Sequence, residues 1–291
     1  MLNAISVDVE EYFHVTNFSS HISRSDWPLC TSRLEESVSK TLDLFSMSNT
    51  IGSFFILGLV AELKPAIVKT ISNAGHEIAS HGHEHYLAYE QTPAAFRNDI
   101  THSKKLLEDI CGREVIGYRA PSFSITEKNP WAHEIIVEAG YRYDSSVFPT
   151  WHPRYNNLDK DRFPTIIGTP AGKLVLCPLA TAEVKVFNRT LRIPLAGGAY
   201  WRHLPLKFIS YFLQRINQVE KMPFTCYFHP WELDDEQPVV EGVSYLTKVR
   251  HYGGIRTLNK KIGHLLTTFE FAPIRSVLQQ AFASEHISLE L

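Results

Sequence analysis

The chain has 291 residues, 44% of them apolar and 21% charged, which is the range of an ordinary globular protein able to bury a large core. A net charge of -2 without any Lys/Arg block argues against nucleic acid or an anionic membrane as partner, leaving a neutral or mixed-charge substrate. Four cysteines, Cys30, Cys111, Cys177 and Cys226, stand far apart with no CxxC pair, so they read as free, mostly buried thiols rather than a sulfur-ligated zinc site or disulfide framework. The apolar runs are too short to span a bilayer, and no charged and apolar leader precedes Asn3, so a cytoplasmic location is expected.

In chain order, Ala4 to Asp8 reads as a buried strand ending on a carboxylate. Arg33 to Met47 has helical apolar spacing, with Leu34, Val38 and Leu42 on one face. Ile51 to Leu57 is a second strand, Ala61 to Ala74 a helix stopped by Gly75, and Glu77 to Ser80 a third strand. Thr92 as N-cap and Pro93 at the first helical position open a long helix running to Gly112. A strand at Val115 to Tyr118, a helix near Trp131 to Gly140 and a short strand ending at Asp144 follow. This alternation predicts parallel strands in an α/β sheet or barrel.

The second half changes character. Leu174 to Pro178, Val184 to Phe187 and Leu191 to Ile193 read as antiparallel pieces around a turn at Asn188. Helices are expected at Leu206 to Val219, Thr257 to Phe269 and Ile274 to Phe282, with a strand at Phe224 to Phe228. No linker divides the chain, so residues 1–291 are expected to form a single domain, with additions over about 150–291.

Polar clusters fall at predicted strand ends, where parallel α/β folds gather functional groups. Asp8, Glu10 and Glu11 follow the first strand. His81, His83 and His85 follow the third, in a spacing that lets at least two imidazoles converge on one ion. Arg119, Pro121 and Phe123 follow the fourth, Asp144 ends the fifth, and His229 and Trp231 lie past Phe228. Two histidines and one carboxylate suit a divalent ion with open positions, which acidifies water and polarises a carbonyl. Spacing by two from Asp8 keeps Glu10 on the same side of an extended segment and favours it over Glu11 as ligand. Tyr12, Tyr200 and Trp231 fit either a sugar groove or core packing, Phe13 reads as core, and the Gly197-Gly198 pair as a turn requiring positive φ.

Taken together these clusters resemble the five ordered motifs of the NodB-homology polysaccharide deacetylases, carbohydrate esterase family 4. The acids after the first strand resemble motif one, His81 and His85 the HxxxH of motif two, and Arg119-Ala-Pro121-Ser-Phe123 the RxPxF of motif three. Asp144 resembles motif four, and Phe228-His229 motif five. The segments Val7 to Phe13 and Tyr227 to Glu232 are similar to a branch found in bacterial exopolysaccharide, exosortase-type loci. The resemblance implies a distorted, incomplete (β/α)7 barrel with antiparallel additions in the second half. It also implies metal-dependent hydrolysis of N-acetyl groups from N-acetylhexosamine residues of a bacterial polysaccharide or its lipid-linked precursor.

Carried over by position, the resemblance makes Asp8 the base that deprotonates metal-activated water and Arg119 the group that orients Asp8. Glu10, His81 and His85 become the ligands of a divalent ion, Zn2+ first, with Co2+, Ni2+ or Fe2+ as substitutes. His229 becomes the general acid, its imidazolium favoured by Asp144. Pro121, Phe123, Tyr200 and Trp231 would contact the glycan, and His83 is left outside the metal shell. Two other functions fit parts of the pattern. His81 and His83 form the HxH of an amidohydrolase acting on cyclic amides or small molecules, although that motif belongs on a first strand. A non-catalytic carbohydrate-binding protein on the same fold would be expected to have lost Asp8 or His229, and both are present.

Overall fold

The computed structural model describes residues 1–152, 155–187 and 189–283. Its frame is one mixed sheet. In chain order the parallel strands β1 (Leu2–Val9), β2 (Ser53–Ile56), β3 (Glu77–Ser80), β4 (Gly117–Tyr118) and β5 (Tyr143–Asp144) lie side by side. A two-stranded hairpin, β6 (Trp151–His152) with β7 (Tyr155–Asn156), and the edge strand β8 (Thr165–Thr169) come next. β9 (Gly172–Leu176) joins β5 in parallel and β8 in antiparallel fashion. The hairpin β10 (Thr181–Val186) and β11 (Arg189–Pro194) stands apart, while β12 (Thr225–Phe228) and β13 (Glu270–Ala272) return to pair with β1 in parallel. The order β12-β1-β2-β3-β4-β5-β9-β8 is a curved sheet rather than a closed ring. Its gap is bridged beyond β9, where the Ala180 N–H donates to Thr225 O at 2.9 Å. That is the α/β architecture with a parallel sheet that the alternation predicts, in an incomplete barrel form.

Helices α1 (Leu34–Met47), α2 (Gly58–Leu63), α3 (Pro65–Asn73), α4 (Pro93–Cys111) and α5 (Ala132–Glu138) connect the first strands. The start of α4 matches its sequence signals: Thr92 Oγ1 accepts from Ala95 N at 3.2 Å, and Gly112 ends the helix in the left-handed region at φ 67°. The single helix expected at 61–74 is two, because Pro65 has no N–H to continue α2 and begins α3 instead. Later come α6 (Gly198–His203), α7 (Leu206–Arg215), α8 (Tyr245–Tyr252), α9 (Ile255–Thr268) and α10 (Ile274–Ala281). α7 stops four residues before the predicted Val219, giving way to a π turn over Ile216–Glu220. The expected pairing around residues 174–193 also differs. Leu174 lies on β9 inside the main sheet and only β10 and β11 form the hairpin, whose turn residue Asn188 lies outside the described residues.

Val7, Phe54, Ile56, Leu107, Tyr118, Ile136 and Phe228 share one large buried cluster spanning strands and helices. Ala4, Phe55, Ala79, Tyr143 and Val175 form a second on the other side, covered by α10. β1 and β2 are buried along nearly their whole length, as strands covered on both faces are. Cys177 and Cys226 are buried and all four thiols are free. No described helix is long and apolar enough to cross a membrane.

Candidate active site

Register places the polar clusters in one row. Ile56 pairs with Ser80, Ser80 with Tyr118, and Tyr118 with Asp144, so the residues that follow these strands emerge at one level. Asp8 is next to last on β1 and Glu10 lies one residue past it; His81, Arg119 and His229 each lie one past β3, β4 and β12. Asp8, Glu10, His81 and His229 converge on a cavity of about 380 Å³ also lined by His85, Phe123, Tyr200, Tyr227 and Trp231, with Arg119 buried against Asp8.

Glu10 is the hub. Its Oε1 lies 3.7 Å from His81 Nε2 and 3.2 Å from His229 Nε2, and its Oε2 lies 3.2 Å from His85 Nε2. The ligand atoms of Glu10, His81 and His85 all fall within 4.8 Å of one another, and the three side chains are buried. Glu10 Oε2 has no hydrogen-bond partner despite complete burial, a deficit that a bound cation would remove. His81 Nδ1 faces Arg119 O at 2.8 Å, which makes Nδ1 the N–H and leaves Nε2 as a free lone pair aimed at Glu10. These features fit a divalent ion. Burial alone would raise the Glu10 carboxyl, but His85, His229 and His81 more than offset it and hold it well below the usual carboxylate range.

Glu11 turns away. It accepts from Ser32 Oγ and, at 3.1 Å, from Arg33 N, tying the segment after β1 to the start of α1. Its burial raises its pKa, and it stands outside the Glu10, His81 and His85 cluster.

Asp8 is held by Arg119, whose Nη1 donates to Oδ1 at 2.5 Å. The guanidinium is fully buried, donates to Ser145 O at 3.2 Å and Ser145 Oγ at 2.9 Å, and lies over the Phe55 ring at 4.0 Å. These contacts fix the guanidinium against Asp8. After Arg119 the chain turns sharply, with Ser122 and Phe123 both in the left-handed region at φ 52° and 56°. That is a strained conformation for Phe, and it brings the ring into the cavity wall.

His229 has a different partner from the one expected. Its Nδ1 lies 3.0 Å from Glu232 Oε2, which also accepts from the His229 N–H at 3.0 Å. Glu232 is paired through Oε1 with Arg202 Nε at 2.9 Å, and Arg202 donates to the carbonyls of Arg250, His251 and Gly253. Asp144 instead accepts from Ser146 N and Ser146 Oγ and lies 3.4 Å from His133 Nε2. The assignment of Asp144 as partner of the His229 imidazolium is therefore corrected. Both residues sit at strand ends, but the Pro230–Leu233 turn folds Glu232 back under the imidazole. Burial would depress His229, yet Glu10 and Glu232 raise its pKa to about 10. An i,i+3 acid was visible at position 232, whereas nothing in the sequence marked Arg202.

Among the expected glycan contacts, Phe123, Tyr200 and Trp231 line the cavity and Pro121 does not. Trp231 is stacked on His251 at 4.3 Å and on His229 at 5.1 Å, with its Nε1 buried and unpartnered. Tyr12 and Phe13 pack with Trp231 in a small separate apolar cluster. His83 points away from the Glu10 cluster toward Glu62, at 3.7 Å, so His81 and His83 do not share an ion as an HxH pair would.

The buried Glu-His-His cluster stands at the strand ends of the α/β sheet, where this architecture gathers functional groups. Residues 26–143 match the family model described as "Polysaccharide deacetylase", and residues 145–279 match one described as "Domain of unknown function (DUF3473)". Residues 26–143 thus form a domain of polysaccharide deacetylase type. It is 30% identical to a peptidoglycan-N-acetylglucosamine deacetylase of Bacillus cereus over 113 residues, 39% of this chain and 50% of that protein. The curated relatives are matched over half of their length or less. In fold it is similar to a crystal structure from Mycobacterium smegmatis, provisionally named a polysaccharide deacetylase, at 18% identity, TM-score 0.63 and coverage of 98% and 91% of the two chains. A Pseudomonas aeruginosa PAO1 structure with a similar provisional name gives 14% identity, TM-score 0.61 and coverage of 98% and 91%.

Proposed function

We propose that the protein hydrolyses N-acetyl groups from N-acetylhexosamine residues of a bacterial glycan or its lipid-linked precursor. The observation that carries this reading is the Glu10, His81 and His85 cluster, with Asp8 clamped by Arg119 on one side and His229 backed by Glu232 on the other. Glu10, His81 and His85 would hold a divalent ion, Zn2+ first, which supplies Lewis acidity toward the amide carbonyl and acidifies a neighbouring water. Asp8 accepts the proton of the attacking water, and Arg119 keeps its carboxylate aimed. The water oxygen bonds to the acetamide carbon, the C–N bond breaks, and the departing amine takes a proton from His229 Nε2, leaving acetate and a free amino sugar. Glu232 holds the imidazole by Nδ1, so that Nε2 is the nitrogen presented to the cavity.

Phe123, Tyr200 and Trp231 offer apolar faces to a pyranose. The reading is tested by acetate release from N-acetylchitooligosaccharides and from an N-acetylated exopolysaccharide. Activity is expected to vanish on chelation and return with zinc; release that is indifferent to chelation would remove the ion from the account.

A further inference from the structure

We propose that Glu62, His83 and His102 form a second, peripheral site for a divalent transition-metal ion, separate from the Glu10 cluster. Their candidate ligand atoms all lie within 4.8 Å of one another, with His83 Nε2 at 3.7 Å from Glu62 Oε2. Ligand atoms around a tetrahedral zinc with bonds of about 2.1 Å stand roughly 3.4 Å apart, so a small rotation of the exposed Glu62 side chain closes the set. Two imidazoles and one carboxylate select zinc, nickel or copper over magnesium or calcium.

The three residues come from separate elements fixed to one another. Glu62 is on α2 and His102 on α4, while His83 sits in the segment between β3 and α4. The His83 N–H donates to both Asp99 oxygens, at 3.1 and 3.3 Å, its carbonyl accepts from Leu59 N at 3.0 Å, and its ring meets His102 edge to face at 4.6 Å. Room for that ring depends on Gly58, where any Cβ would collide with His83 Nδ1. His83 is therefore positioned before an ion arrives, and its side chain is 17% exposed, open enough for entry. An ion here would tie α2 and α4 to the segment that carries His81 and His85 on its other side.

The test is metal stoichiometry on the full chain, stripped by chelator and equilibrated with micromolar Zn2+ alone, measured by mass spectrometry. Wild type is expected to hold two zinc ions per chain, and His102→Ala, Glu62→Gln and His81→Ala one each, with His81→Ala/His102→Ala holding none. Substitution at the exposed Glu62 and His102 leaves the core intact, and circular dichroism checks this. One zinc per chain in wild type, or two in His102→Ala, would overturn the proposal. The deacetylase reading stands apart from this result: two bound ions without acetate release would sink that reading and leave the peripheral site in place.

Discussion

Glu232→Gln separates Glu232 from Asp144, the partner that the family resemblance implied for His229. The substitution keeps the shape of the side chain but removes the charge that holds His229 Nδ1 at 3.0 Å and pairs with Arg202 at 2.9 Å. A hydrogen bond between charged partners contributes about 1.5–3 kcal/mol, which is roughly one to two pKa units on His229. Because Glu232 raises the imidazole, its loss lowers that pKa, and the alkaline limb of the activity profile moves to lower pH by that amount. Since His229 starts from about 10, its imidazolium stays protonated at neutral pH and the loss of activity is confined to the alkaline side. Arg202 is left charged and only 5% exposed without its carboxylate, which costs stability on the order of 3–5 kcal/mol. Acetate release from pH 5 to 10 and urea unfolding of the same protein measure both effects. Asp144→Asn is the control: its Oδ1 still accepts from Ser146, and its alkaline limb stays where wild type has it. An unmoved limb in Glu232→Gln, or a shifted one only in Asp144→Asn, would refute the assignment.

Gly198→Ala is expected to reproduce the shift of Glu232→Gln, since its Cβ would sit on the Glu232 carboxylate while Arg202 stays in place; an unshifted pH profile in a folded variant would contradict this. Glu10→Gln is expected to lose zinc binding at the proposed Glu10 site, and Glu11→Gln to keep it while losing roughly 1–3 kcal/mol of stability through its contacts to Ser32 and Arg33; metal content and unfolding together read the difference. His14 and His251 are buried neutral, burial pushing each down to about 3. Below pH 6.5 the unfolded chain takes up these protons first, so stability falls as pH drops from 6.5 toward 3. Each residue removes about 2 kcal/mol by pH 5. Unfolding of the metal-free protein at pH 7 and pH 5 checks this, and a flat profile would show that the two rings are not held neutral.

Much of the frame was legible because its signals are local. Strand β3 and helix α4 match their expected spans, since a short apolar run bounded by Gly75 and a Thr92-Pro93 start leave few alternatives. The long-range pairing of β9 with β5 was not legible, because Leu174 to Leu176 fit a hairpin and a buried sheet equally well by pattern. At the site, Asp8, Glu10, His81, His85, Arg119 and His229 all emerge at strand ends, where alternation alone directs attention. Their partners were harder to read. Arg202 reaches Glu232 from α6, about thirty residues away in a helix with no motif, and Gly198 is small for the sake of Glu232 rather than for a turn. Gly197, at φ 99°, is the one that the turn requires.

The central claim is that Asp8 and the Glu10 cluster perform amide hydrolysis on an N-acetylated glycan. Acetate release by the zinc-loaded wild type and Asp8→Asn proteins, on one N-acetylated substrate and at equal metal content, tests it most directly. The account predicts turnover in wild type and a loss of at least about 100-fold in Asp8→Asn, in keeping with removal of a general base. Equal rates in the two proteins would contradict it.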